Sequence, residues 1–222
     1  MSSRVHVYKG DTITVTWDAG RCVHAAQCVR GLPKVFNPAI KPWVDANAAA
    51  ATAIMGVIER CPSGALHYEF GNGAKSERAA RINTVTVACD GPLHVRGDLE
   101  IVRGADGTIC AKDTRLSLCR CGHSANKPYC DRSHVKAGFS DLGAVGAPQA
   151  KPGEDTPPVS GGPLKITLRP NGPLRLEGDI QILDSGGRQA WTGPATALCR
   201  CGASRNKPFC DGTHKEVGFV AA

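Results

Sequence analysis

The stretch LCRCGHSANKPYCDRSH, residues 118–134, returns later in the chain as LCRCGASRNKPFCDGTH, residues 198–214. Each copy has the spacing C-x-C-x8-C-x3-H, given by Cys119, Cys121, Cys130 and His134, and then by Cys199, Cys201, Cys210 and His214. Thiolate sulfur and imidazole nitrogen are the donors of zinc sites and of some iron–sulfur sites. The chain therefore repeats one metal-binding loop.

The repeat extends to the segments before these loops. GPLHVRGDLEIV at residues 91–102 matches GPLRLEGDIQIL at residues 172–183. Both segments alternate apolar and polar residues and lead to a Gly-containing turn, which is typical of β-hairpins. The sequence therefore predicts two similar β-rich halves, each ending in a cysteine loop.

The spacing of the donors favours a binuclear centre. Two cysteines separated by one residue in an extended loop point to one side, whereas a Cys-x3-His pair lies along the first turn of a short helix, which we expect Asp131 to cap. Two donors on each of two irons suit a [2Fe–2S] cluster, in which histidine is a known replacement for cysteine. A mononuclear Cys3His zinc site and redox-active thiols remain alternatives, and we expect Arg120 and Arg200 to point outward.

At these residues the chain resembles the CDGSH, or NEET, iron–sulfur proteins. Their pattern C-x-C-x2-[S/T]-x3-P-x-C-D-G-[S/A/T]-H matches the second copy throughout, and the first copy departs from it at Arg132, where glycine is expected. We predict that Arg132 is helical and that the site is kept. The resemblance implies one [2Fe–2S] cluster in each copy and an internal pseudo-dimer of the two halves.

The first part of the chain carries a different cysteine pattern. CVHAAQC at residues 22–28 and CPSGAL at residues 61–66 resemble the mono-cluster ferredoxins, and Cys22, Cys28 and Cys61 match three of the four ligand positions. Ala25 occupies the remaining position. Three thiolates imply a [3Fe–4S] cluster, while a [4Fe–4S] cluster would need another donor, such as His24 or water. A ferredoxin-shaped domain without a cluster is the third alternative.

The predicted fold class is α+β, with an N-terminal ferredoxin-like domain followed by a β-rich tandem CDGSH pair. We place the ferredoxin-like domain at residues 1–80 and the first CDGSH-type domain at 81–140. A linker rich in Pro, Gly and Ser follows at 141–163, and the second CDGSH-type domain occupies 164–222. The two remaining cysteines, Cys89 and Cys110, are predicted to be buried free thiols.

Composition restricts the classes of partner. The formal net charge of the chain is +7. Because the basic residues form no run, we expect no nucleic-acid binding. No apolar run is long enough to cross a membrane and no export signal is apparent, so we expect a cytoplasmic protein. We predict a monomer, not an enzyme, that acts in electron transfer, redox sensing or cluster transfer with redox partner proteins or apo-protein cluster acceptors. The alternative is a structural, zinc-stabilised protein-interaction module.

Overall fold

A computed structural model describes residues 5–71, 77–103, 107–147 and 161–221. The chain divides into two compact units, Met1–Arg78 and Ala79–Ala222. Its regular structure is mostly β, and the longest α-helix among the described residues has 8 residues. The predicted α+β class is therefore only partly right. The central part of the predicted linker, residues 148–160, lies outside the described residues.

The first unit contains an antiparallel sheet in the order β1–β2–β3, together with two short helices. The elements are β1 (Val5–Lys9), β2 (Ile13–Asp18), α1 (Gln27–Gly31), α2 (Ala51–Ile58) and β3 (Leu66–Phe70). The alternation in β2 turns Ile13 and Val15 into the core, where both are fully buried. In α2, Ile54 and Ile58 are four residues apart and face the same core.

The second unit is built on a six-stranded sheet. The strands are β4 (Asn83–Val87), β5 (Leu93–Arg103), β6 (Thr108–Leu118), β7 (Pro163–Leu168), β8 (Leu174–Leu183) and β9 (Gln189–Leu198). Antiparallel pairs join β4 to β5 and β5 to β6, and the same pattern joins β7 to β8 and β8 to β9. Each sequence repeat therefore folds as an antiparallel three-stranded set.

The long strand of each three-stranded set also pairs with a strand of the other set. The last part of β5 pairs in parallel with β7, and the last part of β8 pairs in parallel with β4. Each long strand changes neighbours next to a register shift that includes Gly97 or Gly178, both with positive φ. A bulge at glycine bends the strand and allows it to move from one partner to the next.

One apolar core runs through the second unit. It contains residues from both repeats, including Val85, Leu99 and Leu116 from the first and Leu164 and Ile180 from the second, all fully buried. Two predictions fail outside this core, because Cys89 and Cys110 are exposed. None of the helices that the structure describes is both long and apolar enough to cross a membrane.

Candidate metal centres

The tight cysteine pair of each repeat lies on the loop that leaves a strand, β6 in the first repeat and β9 in the second. The Cys119 Sγ lies 3.7 Å from the Cys121 Sγ, and the Cys199 Sγ lies 3.7 Å from the Cys201 Sγ. Cys119 and Cys199 are almost fully buried. Each loop therefore presents two neighbouring thiols on one side of its backbone.

The third cysteine and the histidine of each repeat also meet. The Cys130 Sγ lies 3.5 Å from the His134 Nδ1, and the corresponding distance between Cys210 and His214 is 3.3 Å. His134 lies in the short helix α3 (Ser133–Lys136), and His214 lies in a single 3₁₀ turn. The helix expected from the spacing is thus reduced to about one turn, which is enough to bring thiol and imidazole together.

Backbone hydrogen bonds hold these loops in shape. The Cys119 N–H donates to the Pro128 carbonyl and the Cys130 N–H to the Ser117 carbonyl, both at 2.8 Å. The Asp131 carboxylate accepts the N–H groups of Ala125 and Ser133 at 2.8 and 2.9 Å. The second repeat makes the equivalent bonds. The protein backbone therefore places the donors.

The donors come together in twos. Over the described residues, no group of three or more His, Cys, Asp or Glu side chains converges closely enough to hold a single metal ion. A binuclear cluster needs two donors on each metal, whereas a structural zinc site needs four around one point. The arrangement fits an iron–sulfur core better than it fits zinc.

The thiols are held mainly in their neutral form. Burial raises the pKa of both Cys130 and Cys201 to about 11, and it raises the pKa of Cys210 as well. The pKa of Cys119 is lowered instead, because the Cys121 thiol donates a hydrogen bond to the Cys119 sulfur. Metal binding at these residues must therefore displace protons from most of the cysteines.

The arginine in each C-x-C motif does not point outward. Arg120 and Arg200 are 1% exposed, which contradicts the sequence prediction. The Arg120 side chain donates to the carbonyl oxygens of Gly91 and Ala88, and it forms an ion pair with Asp141 at 2.6 Å. Arg200 donates in the same way to the Gly172 and Arg169 carbonyls. Each guanidinium thus ties the cysteine loop to the turn before the long strand.

The two cysteine loops touch each other. Cys121 and Cys201 form an antiparallel β-bridge. Gly122 and Gly202 follow these cysteines with a φ of +84°, and a Cβ on either glycine would overlap the backbone of the opposite loop. Only glycine suits both the backbone conformation and the close approach.

Aromatic contacts add a second link between the loops. Lys127 of the first loop lies over the Phe219 ring, with its Nζ 5.9 Å from the centroid, and Lys207 lies over the Phe139 ring at 6.0 Å. Both phenylalanines come shortly after a histidine donor, and their N–H groups donate to the His134 and His214 carbonyls. Each metal loop therefore packs against the histidine segment of the other repeat.

The third candidate centre lies in the first unit. Cys22, Cys28 and Cys61 line one cavity of about 280 Å³. Its wall is largely apolar and includes Trp17 and Trp43. Burial, followed by the charges of the other two cysteines, raises the pKa of Cys28. The three predicted ligands are therefore brought together around a space.

The loop between the first two of these cysteines is shaped around the cavity. His24 and Ala26 have positive φ values of 53° and 59°, which are uncommon for residues other than glycine and often occur at binding sites. Trp17 lines the cavity, and its buried Nε1 has no hydrogen-bond partner among the residues that the structure describes. Three thiols on one cavity wall suit an iron–sulfur cluster, so the residues present fit such a group.

Comparisons with known families match the segments that contain these cysteines. A family model described as "Divergent 4Fe-4S mono-cluster" matches residues 8–70, and one described as "Iron-binding zinc finger CDGSH type" matches residues 90–135 and 171–215. The chain is also 41% identical over 61 residues to the protein YjdI of Escherichia coli K12, covering 28% of this chain and 80% of YjdI. The YjdI protein of E. coli O157:H7 gives the same values. Residues 90–135 and 171–215 are therefore two segments of the CDGSH type. The chain carries a divergent mono-cluster domain before its two CDGSH segments.

The departure of the first CDGSH segment at Arg132 has a structural consequence. We predicted a helical conformation for Arg132, but its φ is 72° and α3 begins only after it. Gly212 of the second segment has a φ of 93° at the matching position. The first segment therefore keeps the same turn with a residue that is less suited to it.

Several residues at the CDGSH centres were not recognised from the sequence. They are Gly122, Gly202, Phe139 and Phe219, which make the contacts between the two loops. All four recur at the spacing of the repeat, so comparison of the two copies could have found them. The contacts that these residues make could not be predicted in this way, because they depend on how the two repeats pack against each other.

Proposed function

We propose that the protein binds two [2Fe–2S] clusters and carries single electrons between partner proteins. In each CDGSH segment, the C-x-C pair would hold one iron, and the Cys-x3-His pair would hold the other. The observation that carries the proposal is the meeting of these donors in two separate pairs, 3.3–3.7 Å apart in each segment. The clusters would supply one-electron oxidation and reduction, and the protein would act as a carrier and not as an enzyme with its own substrate.

The histidine donors support an electron-carrier role. Replacing a thiolate by neutral imidazole removes one negative charge from the centre, which makes the addition of an electron easier. The reduction potential should therefore lie above the roughly −400 mV of plant-type clusters that have four cysteines. The buried guanidinium groups of Arg120 and Arg200 would favour the reduced state further.

We further propose that the two CDGSH segments form an internal pseudo-dimer and that the chain works as a monomer in the cytoplasm. The parallel pairing of β4 with β8 and of β5 with β7 supports the pseudo-dimer, because each long strand completes the sheet of the other repeat. The reciprocal Lys127–Phe219 and Lys207–Phe139 contacts support it as well.

A [3Fe–4S] cluster is our proposal for the N-terminal domain. Three cysteines line its cavity, and Ala25 stands at the position of the fourth ligand of mono-cluster ferredoxins. A [4Fe–4S] cluster is the second candidate, because the exposed His24 also lines the cavity and could donate a fourth ligand.

Metal and sulfide analysis of anaerobically purified protein tests the proposal. We expect a red-brown protein with four irons and four sulfides in its CDGSH segments, whose visible absorbance bleaches with dithionite. A colourless protein containing zinc would show the alternative, a zinc-stabilised interaction module.

Incubation with an apo-ferredoxin tests cluster donation, the second candidate function, which the replaceable histidine ligands favour. Iron that stays with the CDGSH protein would support electron transfer.

A further inference from the structure

Among the differences between the turns that carry the two histidine donors, one falls on a residue with an unusual backbone conformation. Arg132 and Gly212 occupy equivalent sites, and both have positive φ. This conformation costs a residue with a side chain about 1 kcal/mol relative to glycine. The Arg132 side chain is exposed and its backbone N–H donates to the Cys130 Sγ at 3.4 Å, so the fold itself could use glycine there. A residue with a strained backbone conformation close to a metal ligand suggests a functional role.

The same two turns also differ in net charge. Residues 131–138 contain two basic residues, Arg132 and Lys136, and one acidic residue, Asp131. Residues 211–218 contain one basic residue, Lys215, and two acidic residues, Asp211 and Glu216. Arg132 and Lys136 are both exposed. The histidine turn of the first segment is therefore basic, and that of the second is acidic.

The basic turn also has an apolar centre. Val135 lies between Arg132 and Lys136 in the sequence, follows the donor His134 directly and is 63% exposed. At a docking site, charges guide the approach of the partner and apolar contact stabilises the complex. The basic turn thus combines both features beside a metal ligand.

We propose that an acidic electron-transfer protein docks on the Arg132–Val135–Lys136 turn and exchanges electrons with the first CDGSH cluster. This inference rests on the proposed electron-carrier function. A negatively charged partner fits the basic turn and would be repelled by the carboxylates of the second turn. The two CDGSH centres then have different roles, and the first is the one that meets the partner.

Reduction of the full-length protein by two donors of opposite charge tests the proposal. An acidic flavodoxin in its hydroquinone form loses one electron in each encounter, and the oxidised cluster gains it. The methyl viologen radical cation provides the same single electron from a positively charged small molecule. Stopped-flow absorbance gives the second-order rate constant for each donor at low and high ionic strength.

The test variant is Arg132→Gly, which removes the charge and gives the turn the residue that its backbone favours. We expect it to slow reduction by flavodoxin about three- to tenfold at low ionic strength, with little difference at 0.5 M salt, where charges are screened over about 4 Å. Reduction by methyl viologen should change by less than about twofold. Lys136→Glu should slow the flavodoxin reaction further.

The matched control is Lys112→Gln, which removes one exposed positive charge from β6, seven residues and about 24 Å along the chain from Cys119. It should leave both rates unchanged. Equal flavodoxin rates in Arg132→Gly and the unmodified protein would overturn the docking proposal, and so would an equal slowing with both donors. A protein that lacks the clusters, or that methyl viologen fails to reduce, would instead overturn the proposed function.

Discussion

At the scale of single residues, the contact between the two CDGSH loops depends on glycine. Gly122 and Gly202 combine a φ of +84° with an approach to the opposite backbone that leaves no room for a Cβ. Gly212 also has positive φ, 93°, but no atom lies within 4 Å of the place where its Cβ would be. A side chain at Gly122 or Gly202 would therefore cause both backbone strain and steric overlap, whereas a side chain at Gly212 would cause backbone strain alone.

The first prediction uses this difference. Gly122→Ala should lower the free energy of unfolding by about 3 kcal/mol, because strain of about 1 kcal/mol is joined by a steric cost of similar or larger size. Gly212→Ala should lose only about 1 kcal/mol. Urea unfolding followed by circular dichroism, with visible absorbance as a check on the clusters, measures both. Equal losses in the two variants would contradict the packed-loop arrangement.

A second prediction concerns the N-terminal cavity. Ala25→Cys places a fourth thiol at the position where a mono-cluster ferredoxin has one, so a [3Fe–4S] cluster should become a [4Fe–4S] cluster. Electron paramagnetic resonance of the oxidised protein should lose the signal of the three-iron cluster, and the iron content should rise by one. Ala26→Cys, one residue further along the same loop, is the control and should retain the three-iron signal. An unchanged iron content in Ala25→Cys would contradict the proposed ligand set.

The buried arginines show why the sequence did not predict all the residues of the site. A charged residue between two loop cysteines is normally exposed, because burying a charge is costly without partners. The partners of Arg120 are carbonyls of Ala88 and Gly91 and the carboxylate of Asp141, which are distant in sequence. The ligands could be recognised because they lie within one loop, whereas these supporting contacts depend on the fold.

At the scale of elements, the repeat predicted the hairpins but not their exchange. The alternating segments 91–102 and 172–183 correspond to most of β5 and β8. Their parallel pairing with β7 and β4 joins residues about 65 to 97 positions apart, and no local pattern encodes such contacts. Gly97 and Gly178, which interrupt the alternation, mark the bulges only in retrospect.

The buried Asn83 at the start of β4 joins segments of both repeats. Its side chain is 1% exposed, donates to the carbonyls of Gly162 and Asp179 at 3.0 Å and accepts the Asp98 N–H at 3.1 Å. Asn83→Ala leaves these backbone groups without that partner and should lower the free energy of unfolding by about 2–4 kcal/mol.

The neighbouring Thr84→Ala is the matched control, because Thr84 lies in the same strand and is only half-buried. It should cost less than about 1 kcal/mol. Chemical unfolding of both variants measures the difference. A cost for Asn83→Ala no larger than that for Thr84→Ala would show that this strand contributes little to the joining of the repeats.

At the scale of the whole molecule, stability should depend on pH through His94. Burial lowers its pKa to about 4, and its Nδ1 lies 2.8 Å from the Ser117 hydroxyl. The unfolded chain binds a proton below about pH 6.5, whereas the folded chain keeps His94 neutral down to about pH 4. The folded state therefore loses stability as the pH falls through this window.

We expect His94→Gln, which keeps a hydrogen-bonding side chain but does not titrate, to remove this part of the pH dependence. Between pH 7 and pH 5 the unmodified protein should lose about 2 kcal/mol more of its free energy of unfolding than the variant does. The comparison cancels changes at the metal ligands, which both proteins share. Parallel loss in the two proteins would contradict a partly buried His94 that stays neutral in the folded state.

In the proposed metal centres, each CDGSH loop would hold two irons, one on its C-x-C pair and one on its Cys-x3-His pair. The most direct measurement is the anomalous diffraction of anaerobically grown crystals, collected on both sides of the iron and zinc absorption edges. We expect two iron positions beside Cys119, Cys121, Cys130 and His134, and two more at the equivalent residues of the second segment. A single zinc position in either loop would contradict the proposed metal centres.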